Sequence, residues 1–260
     1  MWRGFCDYLF FGCIKLIKYH GLPITPETAA IKAVHRGHAF VSFRHKDQLN
    51  VAVSQSQSFA IDNGAFTAWR SGESIKDWSP FYDWALDCLK IPNCDWAVIP
   101  DIIDGTETDN DAMLNDCPLP KWSSVPVFHM HESLDRLCRL MADYPRIAIG
   151  SSGEFSSVGC RDWWLRINKI MRVACDSDGR PLVKMHGLRM LDESVFTKIP
   201  LSSADSTNIG QNIGIDKNWT GSYQPRTKEG RALNMRERIE HLNSAQKYDF
   251  NAIGENLCLF

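Results

Sequence analysis

The sequence lacks the clustered cysteines that a zinc site or a redox centre requires. Its nine cysteines are scattered, none forms a CxxC pair, and their number is odd. A structural zinc site needs closely spaced ligands, and a disulfide framework needs an even number of cysteines. We therefore interpret them as buried, reduced thiols of a cytosolic protein, and we expect neither a metal ion nor a cofactor.

Long hydrophobic runs are also missing. Residues 8–14 form an apolar stretch, but Lys15 and Lys18 interrupt it early. The stretch is too short to span a bilayer and lacks a small-residue cleavage site. We interpret it as a first buried strand, and we expect a soluble, cytoplasmic protein that does not bind membranes.

Neither a strong net charge nor a phosphate-binding loop is present. The formal net charge is −2, which excludes a globally basic nucleic-acid binder but not a local basic groove. No GxGxxG or GxxxxGK[ST] motif follows the first apolar run, which argues against a nucleotide-binding open sheet.

No linker or low-complexity tract divides the 260 residues, and 44% of them are hydrophobic. We therefore predict one domain, residues 1–260, with a sizeable core.

Eight short apolar runs alternate with longer amphipathic stretches. Several runs are nearly continuous in Val, Ile, Phe and Ala, as is typical of strands buried on both faces of a parallel sheet. Repeated βα units predict a (β/α)8 TIM-type barrel with its core at residues 8–207 and a C-terminal loop and helix at 208–260. The predicted strands are residues 8–13, 38–43, 59–62, 95–100, 125–130, 146–150, 182–186 and 200–204, and the predicted helices are residues 26–36, 79–90, 133–142, 163–174 and 229–248.

Polar side chains follow most of the predicted strands. The C-terminal ends of barrel strands carry the catalytic groups in this fold, so we expect these residues to meet at one rim. Each residue alone also fits a helix cap, a turn or a packed histidine. Several carboxylates and histidines on one rim nevertheless favour a functional site. The residues are His45, Asp62, Asp101, His129, His131, Ser151, Ser152, His186 and Asp205.

Small residues beside these positions leave room for a flat ligand. Gly64 follows Asp62 closely, and Phe66 offers an aromatic face. Residues 150–153 read Gly-Ser-Ser-Gly and present backbone N–H groups with little bulk. An ordinary tight turn explains each stretch as well, but both suit a planar, hydrogen-bonding heterocycle.

The block Asp62-Asn63-Gly64-Ala65-Phe66 resembles the Asp-Ser-Gly-Gly-Phe block of the queuine and archaeosine tRNA-guanine transglycosylases. The chain is more similar to the shorter transglycosylase-like proteins of phages and bacterial DNA-modification systems, which insert 7-deazaguanine bases into DNA. The resemblance runs from about residue 8 to residue 207, in short motifs that recur in order on successive strands. It implies a barrel that exchanges guanine for a 7-deazaguanine through a covalent sugar–enzyme intermediate.

The resemblance also implies a role for each matching residue. Asp205 matches the nucleophilic aspartate, and Asp62 matches the aspartate that contacts the exchanged base and moves protons. Asp101 matches the aspartate that reads the guanine-like edge. The other residues expected to contact the base are His129 or His131, in place of a base-binding glutamine, Gly150 and Ser151, in place of a Gly-Gly pair, and Gly64, Phe66, Ser152 and His186.

The chain departs from the tRNA enzymes near its C-terminus. Those enzymes carry a zinc site of three closely spaced cysteines and a distal histidine, whereas only Cys258 lies beyond Cys175 here. We therefore predict a barrel without the zinc subdomain. Because that subdomain supports tRNA docking, we expect DNA rather than tRNA as the acceptor and a 7-deazaguanine base as co-substrate. A partner protein that supplies target specificity is compatible with this expectation, and a phage-encoded enzyme would act in the host cytoplasm.

Base exchange of this kind needs a nucleophile for the anomeric carbon and an acid for the departing base. A carboxylate suits the first task because it can hold the sugar covalently and then leave, which splits one difficult step into two. Retaining glycosidases use two carboxylates in the same way. Asp205 and Asp62 would take these two roles.

Two other functions stay open. A metal-dependent barrel hydrolase would use His129 and His131, which share one strand face, with His186 and Asp205. Hydrolases of the amidohydrolase type carry such a pair on the first strand, where the run at residues 8–13 has no histidine. The other alternative is a non-catalytic nucleic-acid- or nucleotide-binding barrel. Its acidic rim would repel phosphates, which argues against it.

Overall fold

The computed structural model describes residues 15–214 and 223–251. In this part of the chain, nine parallel strand segments form one sheet in the order β5-β4-β3-β2-β1-β9-β8-β7-β6. The segments are β1 (Ile17–Leu22), β2 (His38–Ser42), β3 (Ser58–Asp62), β4 (Cys94–Val98), β5 (Ser124–Val125), β6 (Val127–His129), β7 (Arg146–Gly150), β8 (Lys184–Gly187) and β9 (Ser203–Ser206).

The two segments at the ends of this order are neighbours in the chain. β5 pairs with β4, β6 pairs with β7, and only Pro126 separates β5 from β6. Proline has no N–H for a ladder, but the Pro126 carbonyl accepts a hydrogen bond from the Ala148 N–H at 2.9 Å. β5 and β6 therefore act as one strand, and the sheet forms a nearly closed barrel of eight strands. This confirms the predicted (β/α)8 TIM-type barrel.

Helices surround the barrel, and several of them bury an apolar stripe. In the longest, the buried residues Trp163, Ile167 and Ile170 recur at helical spacing. Among residues 15–214 and 223–251, no helix combines the length and apolar composition needed to cross a bilayer. The helices are α1 (Glu27–Val34), α2 (Leu49–Gln55), α3 (Ala65–Arg70), α4 (Ser79–Cys88), α5 (Glu107–Asn115), α6 (Leu134–Asp143), α7 (Arg161–Ala174), α8 (Glu193–Phe196), α9 (Asn208–Asn212) and α10 (Lys228–Glu240).

The five predicted helices correspond to α1, α4, α6, α7 and α10. The last is shorter than predicted, because the chain after Glu240 is held to the barrel as an irregular segment. The Ser244 hydroxyl donates to the Leu201 carbonyl at 2.8 Å, and the Tyr248 N–H donates to the Gly179 carbonyl at 2.7 Å. Tertiary hydrogen bonds thus replace the last helical turns.

The first barrel strand differs from the predicted one. The run at residues 8–13 lies outside the described residues, and β1 supplies the strand instead. Lys18 and His20 interrupt its apolar pattern, yet both are buried against α10. The Lys18 ammonium donates to the Glu240 carbonyl at 3.2 Å, and His20 Nε2 lies 3.4 Å from Glu240 Oε1. Tyr19 lies between these two residues in the strand and points to the opposite face, into the barrel interior.

Aromatic side chains fill the barrel from its N-terminal end. The rings of Tyr19, Phe40 and Trp96 lie within 6.0 Å of one another. Below them, the Tyr19 hydroxyl donates to Asp95 Oδ2 at 2.5 Å. The barrel is therefore a packed core and not a pore, and its open space lies above this layer, at the C-terminal ends of the strands.

Candidate active site at the mouth of the barrel

A cavity of about 620 Å³ opens at the C-terminal ends of the strands. This is the size of a small-molecule site. The strands and the loops that follow them contribute all three predicted carboxylates to its wall, and His45, which follows β2, also lines it. The other predicted site residues that line the cavity are Asp62, Phe66, Asp101, His129, Gly150, Ser151 and Asp205.

Asp205 lies in β9 with its carboxylate almost fully buried at the cavity wall. Its Oδ1 accepts a hydrogen bond from the Arg189 backbone N–H at 2.8 Å and lies 3.2 Å from His186 Nε2. Among the described residues, Oδ2 has no hydrogen-bond partner. One oxygen therefore fixes the orientation of the carboxylate, and the other is left for a ligand.

His186, in β8, lies beneath Asp205 and does not line the cavity. It is completely buried, and its ring packs edge-on against Tyr19 and Trp96. Burial lowers the pKa of His186, although the adjacent carboxylate opposes this effect. A neutral imidazole beside a carboxylate must donate from Nε2, so Nδ1 accepts from the Ser203 hydroxyl at 2.9 Å. His186 thus supports Asp205 from below.

Asp62 ends β3, and the Gly64 N–H donates to its Oδ2 at 3.0 Å. Burial, the charge of Asp205 and the charge of Asp101 raise the pKa of Asp62 to about 7, while the Ser42 hydroxyl and the Gly64 N–H act in the opposite direction. A carboxyl group with this pKa exchanges protons readily near neutral pH. Asp62 therefore has the property that a proton-transfer group requires.

Asp101 follows β4 and is held from two sides. Asn63 donates from Nδ2 to Asp101 Oδ1 at 2.9 Å and to the Ile99 carbonyl at 2.8 Å. His129 Nε2 lies 3.0 Å from Asp101 Oδ2. Burial opposes protonation of His129, but the adjacent Asp101 carboxylate and the charge of Glu132 outweigh it and raise the pKa of His129. The two residues form a buried ion pair.

A second buried ion pair holds the end of β6 and, with it, His129. Glu132 Oε2 accepts from the His129 N–H at 2.9 Å and from Arg136 Nη1 at 2.6 Å. Arg136 also donates to the Val127 carbonyl at 2.9 Å. Both charged side chains are at most 1% exposed, and breaking such a pair is strongly destabilising because it leaves one buried charge alone. The sequence pattern did not identify this support.

The remaining predicted residues lie behind the cavity wall. His131 stacks on His129 at 5.6 Å between ring centroids and binds the Ser152 hydroxyl through Nδ1 at 2.8 Å. Gly64 adopts φ +81°, and a Cβ there would overlap Arg44 Cγ. His131, Ser152 and Gly64 therefore shape the site, as His186 does, without forming its surface.

Arg189 is a cavity residue that the sequence analysis missed. It follows β8 with φ +56°, in the left-handed region that residues other than glycine rarely adopt. Its guanidinium lies over the Phe66 ring, 3.7 Å from the centroid. One face of Phe66 is thus covered by a cation. No pattern in the sequence distinguishes this arginine from a surface residue, because its position depends on the turn after β8.

The histidines and carboxylates of the site form separate pairs. His129 binds Asp101, whereas His186 binds Asp205. Among residues 15–214 and 223–251, no group of three or more His, Cys, Asp or Glu side chains is arranged to hold a metal ion. The set of His129, His131, His186 and Asp205 therefore does not converge as the hydrolase alternative requires.

Comparisons with protein-family models, curated proteins and solved structures found no match to this chain.

Proposed function

We propose that the protein is a base-exchange transglycosylase that replaces guanine in a nucleic acid with a 7-deazaguanine derivative through a covalent bond between Asp205 and the sugar. One observation carries this proposal. Two carboxylates line the same cavity in different electrostatic environments, with Asp205 oriented by donors at one oxygen and Asp62 held at a pKa of about 7. Carboxylates with divergent environments are typical of paired nucleophile and acid roles.

In the first half-reaction, a carboxylate oxygen of Asp205 attacks the anomeric carbon of the target nucleotide. The glycosidic bond breaks, its electron pair goes to the departing guanine, and Asp62 supplies a proton to that base. In the second half-reaction, the ring nitrogen of the incoming base attacks the same carbon and loses its proton to Asp62. The bond to Asp205 breaks, and both carboxyl groups return to their starting states.

The ion pair of Asp101 and His129 would recognise the exchanged base. A guanine-like edge presents N–H donors beside a carbonyl acceptor, and Asp101 can accept from the former. The wall below is formed by Gly150, where an added Cβ would lie 3.2 Å from Val127. Gly150 and Ser151 line the cavity beside Asp101 and His129, where a flat ring would meet a wall with little side-chain bulk.

The acceptor and the incoming base follow from the resemblance to the DNA-modifying transglycosylases. A base inside a duplex cannot reach a barrel mouth, so the target nucleotide must be single-stranded or flipped out of the stack. DNA is the favoured acceptor because the sequence lacks the clustered cysteines of the tRNA-docking zinc subdomain.

The test is incorporation of radiolabelled guanine into single-stranded DNA and into tRNA, followed by competition with unlabelled 7-deazaguanine bases. We expect label in DNA with the unaltered enzyme and none with Asp205→Asn. Asp95→Asn is a matched control, because Asp95 lies at the opposite end of the barrel. Absence of incorporation into either nucleic acid, with folded enzyme and both bases supplied, would contradict the proposal.

A further inference from the structure

Two arginines stand at the rim of the cavity without a counter-ion. Arg70, in α3, and Arg189 both line the cavity, and within the described parts of the chain neither guanidinium forms a salt bridge or a hydrogen bond. Their positive charges repel each other. Burial lowers the pKa of Arg189, and the charge of Arg70 lowers it further. Two unpaired cations beside the same ring, of which Arg70 is exposed and Arg189 is partly desolvated, favour an anionic ligand.

The nearest acid along α3 is already neutralised. Glu73 follows the helix, and both of its carboxylate oxygens accept hydrogen bonds from Arg44. The carboxylates deeper in the cavity, Asp62 and Asp205, attract Arg189 electrostatically but form no ion pair with it. The positive charge of Arg70, which is exposed at the cavity wall, is therefore not neutralised by these acids.

An aromatic surface adjoins these cations just outside the cavity. The Trp69 side chain is 46% exposed, and its ring lies 5.7 Å from that of Phe66. Arg189 covers Phe66 at 3.7 Å, and Arg70 lies 6.0 Å from the same ring. Exposed aromatic rings interleaved with cations are the arrangement by which proteins bind single-stranded nucleic acids, since the rings stack on bases and the cations bind phosphates.

We propose that Trp69, Arg70 and Arg189 form a strand-binding site that holds the nucleotide next to the target, with Trp69 stacked on its unpaired base and the two arginines on the intervening phosphodiester. The site deepens the proposed function, on which the identity of the ligand rests. It makes a polynucleotide strand the acceptor, because Trp69 lies beyond the cavity that the target nucleotide would fill, and a free nucleotide has no second base to reach it.

The experiment measures binding of a fluorescein-labelled single-stranded oligodeoxynucleotide of about ten nucleotides by anisotropy, with deoxyguanosine monophosphate as competitor. The double variant Trp69→Ala/Arg70→Gln is compared with Trp122→Ala/Arg180→Gln. Trp122 and Arg180 are also exposed, but they precede β5 and β8 at the opposite end of the barrel. Thermal unfolding of each variant checks that the barrel is retained.

We expect the first double variant to bind the oligonucleotide about tenfold more weakly or worse, because stacking alone contributes this much, and the second to bind as the unaltered protein does. Arg70→Gln and Arg189→Gln should each reduce the slope of log affinity against log salt by about 0.7, the value for one phosphate contact on a single strand. The monophosphate should compete poorly.

Equal binding by the two double variants would overturn the proposal, as would a strand affinity no greater than that for the monophosphate. Salt slopes for the unaltered protein report on the site even where a variant fails to fold. The proposed function is tested separately by base exchange. If the protein exchanges no base but the Trp69 and Arg70 variants lose strand binding, the proposed strand-binding site is supported and the proposed transglycosylase activity is contradicted. If the enzyme is active and these variants bind the strand as before, only the proposed strand-binding site is contradicted.

Discussion

Two histidine–carboxylate pairs lie at the mouth of the barrel, and their histidines have opposite protonation tendencies. His129 is 3.0 Å from Asp101, and its pKa is raised. His186 is 3.2 Å from Asp205, and its pKa is lowered. Similar distances between similar groups therefore favour the protonated imidazole in one case and the neutral imidazole in the other.

The surroundings of the two rings explain the difference. Both are buried, which favours the neutral imidazole. His129 has a second negative charge nearby, that of Glu132, which adds to the effect of Asp101 and is partly offset by Arg136. His186 is embedded among Tyr19 and Trp96, and the nearby charge of Arg146 acts against its protonation. The balance between burial and the charges around each ring, rather than the contact alone, decides the outcome.

The carboxylates of Asp101 and Asp205 are therefore suited to different roles. The negative charge of Asp101 faces an imidazole whose protonation is favoured, so Asp101 can accept hydrogen bonds from a base while its charge is balanced. Asp205 receives hydrogen bonds from neutral donors, so its negative charge is not cancelled by His186. Uncancelled charge suits a nucleophile, and a matched pair suits recognition.

The largest expected effect is at Asp205. Asp205→Asn should lower kcat/KM for base exchange by about 10⁴-fold or more, as is usual when a nucleophile is removed. His186 should still donate to the amide oxygen, so the fold should persist. Steady-state exchange assays beside thermal unfolding provide the measurement. Retention of more than about a tenth of the activity would contradict the assignment.

Asp62→Asn should lower kcat by about 10²- to 10⁴-fold, the usual contribution of a general acid–base group. It should also change the pH dependence of stability. The pKa of Asp62 is raised from 3.8 to about 7 in the folded state. The folded protein therefore binds this proton more tightly, and its stability falls as pH rises between these two values.

The amide introduced by Asp62→Asn cannot ionise, so the variant should gain stability relative to the unaltered protein above neutral pH and show no such gain at about pH 4. Chemical denaturation at the two pH values measures this change. The control is Asp104→Asn, an exposed carboxylate outside the cavity wall. A gain of the same size at both pH values would indicate packing and not ionisation.

Asp101→Asn should raise KM for the incoming base by about tenfold, from the loss of a charged hydrogen bond, and change kcat less. His129→Gln should have a similar effect, because each residue acts through the ion pair. The double variant should then lose less than the product of the two single effects. Fully multiplicative losses in KM would show that the pair is not a unit.

The smallest perturbation is a pH titration of the unaltered protein followed by the imidazole C–H signals in NMR spectra. His129 should titrate above the ordinary histidine pKa of 6.5 and His186 below it. Linkage gives opposite signs for stability. The contribution of His129 is lost as pH rises through its folded pKa, and that of His186 is lost as pH falls below 6.5. Titration of both rings together near the ordinary value would remove the contrast on which the comparison rests.

The sequence predicted the barrel and the strand ends because both depend on local patterns. Apolar runs located β3, β4 and β7, and Asp62, Asp101 and Asp205 follow from the rule that barrel chemistry lies at the ends of strands. β1 was missed because Lys18 and His20 resemble surface residues until α10 covers them. The pairing of His186 with Asp205 and the place of Arg189 depend on the stagger of β8 against β9, which no local pattern contains.

The most direct test of the account is intact-mass analysis of the enzyme incubated with a guanine-containing single-stranded oligodeoxynucleotide and quenched during turnover. We expect an adduct equal in mass to the enzyme plus the oligonucleotide without its guanine, with the modification on the peptide that contains Asp205. Asp205→Asn should yield no adduct. An adduct on another residue, or efficient exchange by the Asp205→Asn enzyme, would contradict the assignment of Asp205 as the nucleophile.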